Sequence, residues 1–203
     1  MIVSDLPQEV WHTSHTCAID TETTGLDFRQ GAKPVWFQYY SKEFGFYVIN
    51  IYEGIPPNLK ALLGNPAYKK IGHYIKFDAS HILYHHGLLI QNMACTKVQA
   101  KILDPYKKLT SQQSLINLVF KHLDILLDKS EQLSNWNVAG EELSSEQVAY
   151  MQNDVIHLIP LYEKQLSLMS EEQKAKLEAA ERLLPLVVVQ NSAKYDLTEV
   201  FNR

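Results

Sequence analysis

The pattern of hydrophobic and polar positions predicts strands in the first half of the chain. An apolar run at residues 16–20 ends in a carboxylate and is followed by a turn-prone segment, which is typical of a buried strand. Residues 34–40 and 45–49 are rich in aromatic and β-branched side chains, so they predict a hairpin. A further strand is predicted over residues 69–73, and residues 88–94 can supply a fifth.

Helical periodicity alternates with these strands and then takes over the second half. Helices are predicted around residues 58–63, over 77–84 with Gly87 as the end, and over 96–103. Leucine and valine spacing predicts another helix over residues 115–127. Strands first, then alternation, then helices indicate an α/β domain with a mixed sheet.

Two pairs of polar residues mark the starts of the last helices. Ser144 with Gln147, and Ser170 with Gln173, have the spacing of capping boxes. Pro160 should kink the helix that Ser144 opens, because proline removes one backbone hydrogen bond. The final helix has an apolar side that must pack on the domain or on a protein partner.

Composition changes this picture little. With 203 residues, 46% hydrophobic and 21% charged, the chain suits one domain, which we place at residues 1–166, with a C-terminal helix and tail at 167–203. No membrane span or secretory signal is expected, and Cys17 and Cys95 fit buried thiols in the cytoplasm. A net charge of −4 argues against a protein that coats nucleic acid indiscriminately.

Three groups of acidic residues carry the candidate chemistry. Asp20 and Glu22 share one face of a strand end, and two like charges so close favour a hard cation between them. Asp78 lies in the first turn of a helix, where the helix dipole alone would also favour an acid. Tyr150 and Asp154 are one helical turn apart and share a face. Taken alone, Asp20 with Glu22 fits a solvated turn more often than a metal site, and Asp78 fits the helix dipole better than a functional role. Tyr150 with Asp154 also fits an ordinary pair on a helix surface.

In their order, the segments AIDTETTGLD, GHYIKFDASHIL and AYMQNDVIHLIPLY resemble the three motifs of the DEDD family of 3′→5′ exonucleases. Tyr150 matches the tyrosine subgroup, since position 149, where another subgroup has histidine, is alanine. LDKSEQLSNW is similar to ribonuclease D, and the resemblance covers about residues 14–166. Tyr74 departs from the asparagine that many members carry four residues before the aspartate.

The resemblance implies a ribonuclease H-like fold, in which helices flank a mixed five-stranded sheet. It also implies two divalent cations, Mg²⁺ or Mn²⁺, about 4 Å apart. Asp20, Glu22 and Asp154 would hold one ion, and Asp20 would bridge to the second, with Asp78 helping directly or through water. Tyr150 would orient the attacking water rather than act as a base.

Substrate contacts are also implied by the resemblance. Leu26 would wedge against the terminal bases, although a leucine tucked under its turn is equally compatible. Thr23 would contact the terminal sugar or phosphate. Phe77 would stack on the substrate, although the ordinary role of such a residue is in the core. Several lysines fit either phosphate contacts or a solvated surface; these are Lys69, Lys70, Lys76, Lys97, Lys101, Lys107 and Lys108.

The expected function is a ribonuclease D-like exonuclease that releases nucleoside 5′-monophosphates from a free 3′ end, with single-stranded RNA preferred as its partner. A DNA-directed enzyme or polymerase proofreading domain is the alternative, and residues 181–190 loosely resemble the segment that joins such a domain to its polymerase. A catalytically inactive binding module on the same fold is a further alternative. Ribonuclease D often carries a C-terminal helical nucleic-acid-binding domain, for which 203 residues are too few, so we expect substrate affinity to come from a protein partner or to be low.

Overall fold

A computed structural model of the protein describes residues 1–13, 15–105, 110–128, 134–136 and 143–193. Its centre is a single mixed sheet. The six strands are β1 (Ile2–Val3), β2 (Thr16–Thr23), β3 (Pro34–Ser41), β4 (Gly45–Asn50), β5 (Lys69–Gly72) and β6 (Met93–Cys95).

The strands lie in the order β1-β4-β3-β2-β5-β6. The hairpins β2–β3 and β3–β4 are antiparallel, whereas β1 pairs with β4, β5 with β2, and β6 with β5 in parallel. Five strands were expected, and the sixth is the two-residue β1 at the edge. Because β2, β5 and β6 are parallel neighbours, their carboxyl ends meet at one edge of the sheet.

Eight α-helices are seen in the described ranges. They are α1 (Gln8–Thr13), α2 (Pro57–Gly64), α3 (Lys76–His86), α4 (Thr96–Leu103), α5 (Leu115–Leu123), α6 (Ser145–Ile156), α7 (Leu158–Ser167) and α8 (Glu171–Ser192). Both predicted capping boxes are present, at the starts of α6 and α8. None of the described helices is both long enough and apolar enough to cross a bilayer.

The predicted elements differ most from the structure in three places. The long helix expected across Pro160 breaks at His157 into α6 and α7, because proline excludes the hydrogen bond to the carbonyl four residues earlier. The helix expected to reach residue 127 stops at Leu123, since Asp124 takes a left-handed conformation with φ 58°. The strand expected over residues 88–94 is the short β6.

Alternate residues of β2 enter two different cores. Cys17 and Ile19 pack with side chains of α2, α3 and α8, whereas Ala18 packs with α5 and α7. Cys95 is also buried, as expected for both thiols. This alternation decides where the acidic residues of β2 point, because a strand sends successive side chains to opposite faces.

The last helix packs against the sheet domain. Leu184 and Val188 of α8 are buried in the same core as α3, while Leu183, Leu186 and Val187 remain exposed. The division of the chain at residue 166 stays a prediction.

Candidate active site

The carboxyl end of β2 carries polar side chains on both faces. Asp20 and Glu22 point to the face covered by α6, and the buried Thr21 between them points to the face covered by α3. The pairing of β2 with β3 shifts register between Glu22 and Thr23. Such a bulge turns a strand end and commonly re-aims side chains beside a functional site.

Helix α6 brings a third carboxylate to this face. Oxygen atoms of Asp20, Glu22 and Asp154 lie within 4.8 Å of one another, and Asp154 is buried. Three carboxylates at this distance repel one another in the absence of a cation. A donor set made only of carboxylate oxygens suits a hard divalent cation such as Mg²⁺ or Mn²⁺, so these residues fit the expected metal site.

Glu22 is held from the neighbouring strand. The amide nitrogen Nε2 of Gln38, a fully buried residue of β3, donates a 2.9 Å hydrogen bond to Glu22 Oε1. Sequence reasoning missed Gln38, although a polar residue within the aromatic segment PVWFQYY is a visible signal. Such a bond fixes the orientation of a carboxylate that holds a metal.

Tyr150 lies on α6, one turn before Asp154, and is 7% exposed. Burial raises the pKa of Tyr150 above its usual value, and the nearby carboxylates of Asp154 and Glu22 raise it further. The phenol therefore stays protonated at neutral pH and can donate a hydrogen bond. Its ring packs against Trp136, with the ring centroids 5.9 Å apart.

These side chains open into a cleft of about 410 Å³. The cleft is lined by the three carboxylates, by Tyr150, and by the expected substrate residues Thr23, Leu26 and Phe77. Ser134, Asn135 and Trp136 also line it, and they were not assigned a role from sequence. They come from the segment SNW, whose similarity to ribonuclease D was its only signal.

The turn after β2 presents Leu26 to solvent. Thr23 Oγ1 donates a 2.6 Å hydrogen bond to the carbonyl of Gly25, and the backbone of Thr24 pairs with Lys33. A Cβ atom on Gly25 would lie 3.3 Å from that of Ala32, so the turn favours glycine there. Leu26 is 85% exposed rather than tucked under the turn, which leaves it accessible to a ligand in the cleft.

Asp78 occupies a different environment from the other three acids. Its Oδ1 accepts hydrogen bonds from Thr21, at 3.1 Å from the backbone N–H and 2.6 Å from the hydroxyl. Burial raises the pKa of Asp78 to about 7, although the Thr21 hydrogen bonds act in the opposite direction. Asp78 is outside the group of three converging carboxylates, and a role at the metals stays a prediction.

Tyr74 has an unusual backbone, with φ 60°. Asparagine enters this left-handed region more readily than tyrosine does, which gives a physical reason for the asparagine in similar sequences. The Tyr74 side chain is 44% exposed.

Two of the seven lysines are engaged elsewhere. Lys70 is fully buried and donates from Nζ to the carbonyl of Asn65, at 2.5 Å, and burial lowers its pKa to about 8. Lys69 contacts Tyr162 and pairs with Glu181 at 3.7 Å. Lys107 and Lys108 lie outside the described residues.

Comparison with known proteins shows the family to which this chain belongs. Residues 5–169 match a family model described as 3′–5′ exonuclease. The chain belongs to this 3′–5′ exonuclease family. Family membership agrees with an acidic cluster at the carboxyl end of β2, and the mixed sheet flanked by helices is the ribonuclease H-like fold.

Two curated relatives of the family share 32% identity with this chain. One is DNA polymerase I from Aquifex aeolicus, matched over 155 residues, which are 75% of this chain and 24% of that protein. The other is ribonuclease D from Haemophilus influenzae, matched over 119 residues, which are 57% and 28%. The chain thus spans about a quarter of the length of these relatives.

Among solved structures, Brucella melitensis NrnC is similar over nearly its whole length. The match has a TM-score of 0.84 and 27% identity, and it covers 98% of this chain and 96% of NrnC. Other structures of NrnC contain bound Mg²⁺ or pGG. Ribonuclease D from Escherichia coli, at 21% identity and a TM-score of 0.76, shares the fold.

Proposed function

We propose that this protein is a 3′→5′ exonuclease that hydrolyses RNA from a free 3′ end and releases nucleoside 5′-monophosphates. The observation that carries the proposal is the convergence of Asp20, Glu22 and Asp154 within one cleft. All four carboxylates implied by the resemblance are present, at Asp20, Glu22, Asp78 and Asp154. An inactive binding module on the same fold would be expected to have lost at least one of them.

Asp20, Glu22 and Asp154 would hold the cations in this proposal, and Asp78 would help directly or through water. Two divalent cations, when bound, lower the pKa of water and stabilise the leaving 3′ oxygen. Gln38 keeps Glu22 in place through its 2.9 Å hydrogen bond. Neutralising three like charges also removes the repulsion within the cluster.

Tyr150 orients the attacking water in this proposal. Its pKa is raised above the usual value by burial and by Asp154 and Glu22, so it is a hydrogen-bond donor and not the general base. Its place one helical turn from Asp154 sets the hydroxyl beside the metal-holding oxygens. This arrangement supports the tyrosine subgroup.

The 3′-terminal nucleotide occupies the remainder of the cleft. Leu26 projects from its turn against the terminal bases, and Phe77 offers a partly buried ring for stacking. Thr23 lies at the bulge beside Glu22, where its backbone and side chain can meet the terminal sugar or phosphate. All three residues line the same cleft as the carboxylates, which supports these roles.

RNA is the preferred substrate because of two relatives. Ribonuclease D is a curated relative at 32% identity, and a structure of NrnC, which matches over 97% of this chain and 95% of its own, has pGG bound. Very short RNA is therefore a substrate to test beside longer strands. The match to DNA polymerase I supports the alternative of a DNA-directed exonuclease.

The decisive assay presents 5′-labelled RNA and DNA strands of the same sequence, of 2 and 12 nucleotides, with Mg²⁺ or Mn²⁺. We expect stepwise shortening from the 3′ end, faster on RNA, with 5′-monophosphates as products. Faster cleavage of DNA would favour the alternative substrate. Absence of any shortening on either strand would overturn the enzyme proposal.

A further inference from the structure

A second concave surface lies beside the cleft, between the start of α3, the start of α4 and the exposed side of α8. We call it the lysine groove. It encloses about 360 Å³, and its walls include Tyr74, Lys76, Lys97, Lys101, Leu183 and Val187. No acidic side chain is among the described residues that line it.

The groove is positive in a chain with net charge −4. Lys76, Lys97 and Lys101 form no salt bridge with any residue in the described part of the chain. The Nζ atoms of Lys97 and Lys76 lie 4.4 and 5.7 Å from the centroid of the Tyr74 ring. Both ammonium groups lie over the exposed Tyr74 ring. A base that displaces them can stack on the ring, while the displaced lysines contact the adjoining phosphates.

The groove joins the cleft through one turn of the backbone. Phe77 lines the cleft and Tyr74 lines the groove, and the Phe77 N–H donates a 2.8 Å hydrogen bond to the Tyr74 carbonyl. A hydrogen-bonded turn of four residues spans less than about 7 Å. The groove also lies at the sheet edge where the carboxyl ends of β5 and β6 adjoin that of β2, and His73 and Thr96 bond across this gap at 2.9 Å.

Tyr74 holds this position with φ 60°, a conformation that costs a bulky side chain free energy and is often retained for function. We infer that the lysine groove binds the substrate strand on the 5′ side of the cleft, with Tyr74 stacking a base and the lysines contacting phosphates. The inference rests on the proposed function for the direction of the strand. If the groove binds the strand, an RNA long enough to reach it should bind more tightly than a dinucleotide, which occupies only the cleft.

The first test measures strand binding without hydrolysis. A labelled 12-nucleotide RNA is titrated by fluorescence anisotropy in EDTA at several KCl concentrations. For Lys97→Gln combined with Lys101→Gln we expect a Kd about tenfold higher and a salt slope smaller by about 1.4, since each phosphate contact on a single strand contributes about 0.7. The matched control is Lys60→Gln combined with Lys164→Gln, which removes the same charge from two exposed lysines elsewhere.

Tyr74→Asn provides a second variant, because asparagine suits the left-handed backbone and removes the ring. We expect it to raise the Kd of the 12-nucleotide RNA about fivefold or more, with no loss of folding.

The second test compares substrate lengths with Mg²⁺. KM for the 12-nucleotide strand should rise in the groove variants, while cleavage of the dinucleotide should be unchanged, which also shows that the variants fold. Equal losses on both lengths, or an unchanged Kd and salt slope, would overturn the inference. Unchanged strand binding together with self-association that Leu183→Ser abolishes would reassign the groove to a protein contact. If the wild-type protein cleaves nothing, the proposed function fails, yet binding in EDTA still decides the groove.

Discussion

On the α6 side of β2, the carboxylates of Asp20 and Glu22 converge with that of Asp154, whereas on the α3 side Asp78 lies against Thr21. The first group keeps three like charges within 4.8 Å. The second is a single acid whose pKa is raised to about 7 by burial and whose oxygen accepts two hydrogen bonds. The four acids of the motifs are therefore in two different environments. Only the cluster of Asp20, Glu22 and Asp154 has the mutual repulsion that a bound cation would relieve.

Removing an acid of the α6 side should have the largest effect. Asp20→Ala should reduce cleavage by about a thousandfold or more, because the site loses the carboxylate expected to serve both cations. The measurement is the initial rate on a labelled 12-nucleotide RNA. Without metal, the same change should raise Tm, since one of three repelling charges is gone.

The control for that change is Glu43→Ala, which removes an exposed acid from the β3–β4 turn. Full activity of Asp20→Ala, or equal losses in both variants, would contradict the metal role of the α6 side.

Tyr150→Phe should have the next largest effect. Loss of one hydrogen-bond donor beside charged groups should lower kcat about 10- to 100-fold. Because the pKa of Tyr150 is raised above its usual value, the alkaline limb of the pH–rate profile should be the same in both proteins. A limb that disappears in the variant would show that the phenol titrates and acts as a base.

Gln38→Leu tests whether the hydrogen bond from Gln38 on β3 positions the Glu22 carboxylate. Glu22 would lose its 2.9 Å partner, and we expect the apparent Mn²⁺ affinity to fall about tenfold, as for other residues that orient metal-holding carboxylates. Calorimetric titration of Mn²⁺ measures it. Gln38→Glu, which adds another negative charge at the same place, should weaken the fold further, and unchanged Mn²⁺ affinity in Gln38→Leu would remove the positioning role.

The smallest effect concerns the α3 side and appears in stability. The pKa of Asp78 is raised from 3.8 to about 7 on folding, so the folded protein keeps a proton that the unfolded chain releases. In EDTA, stability should therefore fall as pH rises from about 4 to 7. Asparagine at position 78 cannot ionise, so Asp78→Asn should flatten the dependence of Tm on pH. For a protein of this size, each kcal/mol by which the free energy of unfolding changes shifts Tm by about 2–4 °C. Parallel Tm–pH curves would contradict the raised pKa.

Features of the site that depend on neighbouring residues could be predicted from the sequence, whereas contacts between residues far apart in the sequence could not. Strand alternation placed Asp20 and Glu22 on one face, and helical spacing placed Tyr150 beside Asp154, because both are local rules. The hydrogen bond from Gln38 to Glu22 and that from Thr21 to Asp78 join residues 16 and 57 positions apart, and no local pattern predicts them.

The fold shows the same limit. Capping boxes and the bounds of α4 were predicted correctly, because they depend on neighbouring residues. The end of α5 at Leu123 and the edge strand β1 were missed. The first depends on a left-handed residue within an apolar pattern, and the second on two residues that pair with the distant β4.

The most direct test of the account is the position of Mn²⁺ in crystals of the protein grown with that ion. Anomalous scattering locates the metal independently of any activity. We predict a peak within bonding distance of Asp20, Glu22 and Asp154, with Asp78 still hydrogen-bonded to Thr21 or linked to the metal through water. A well-ordered crystal with no anomalous peak among these three carboxylates would contradict the account.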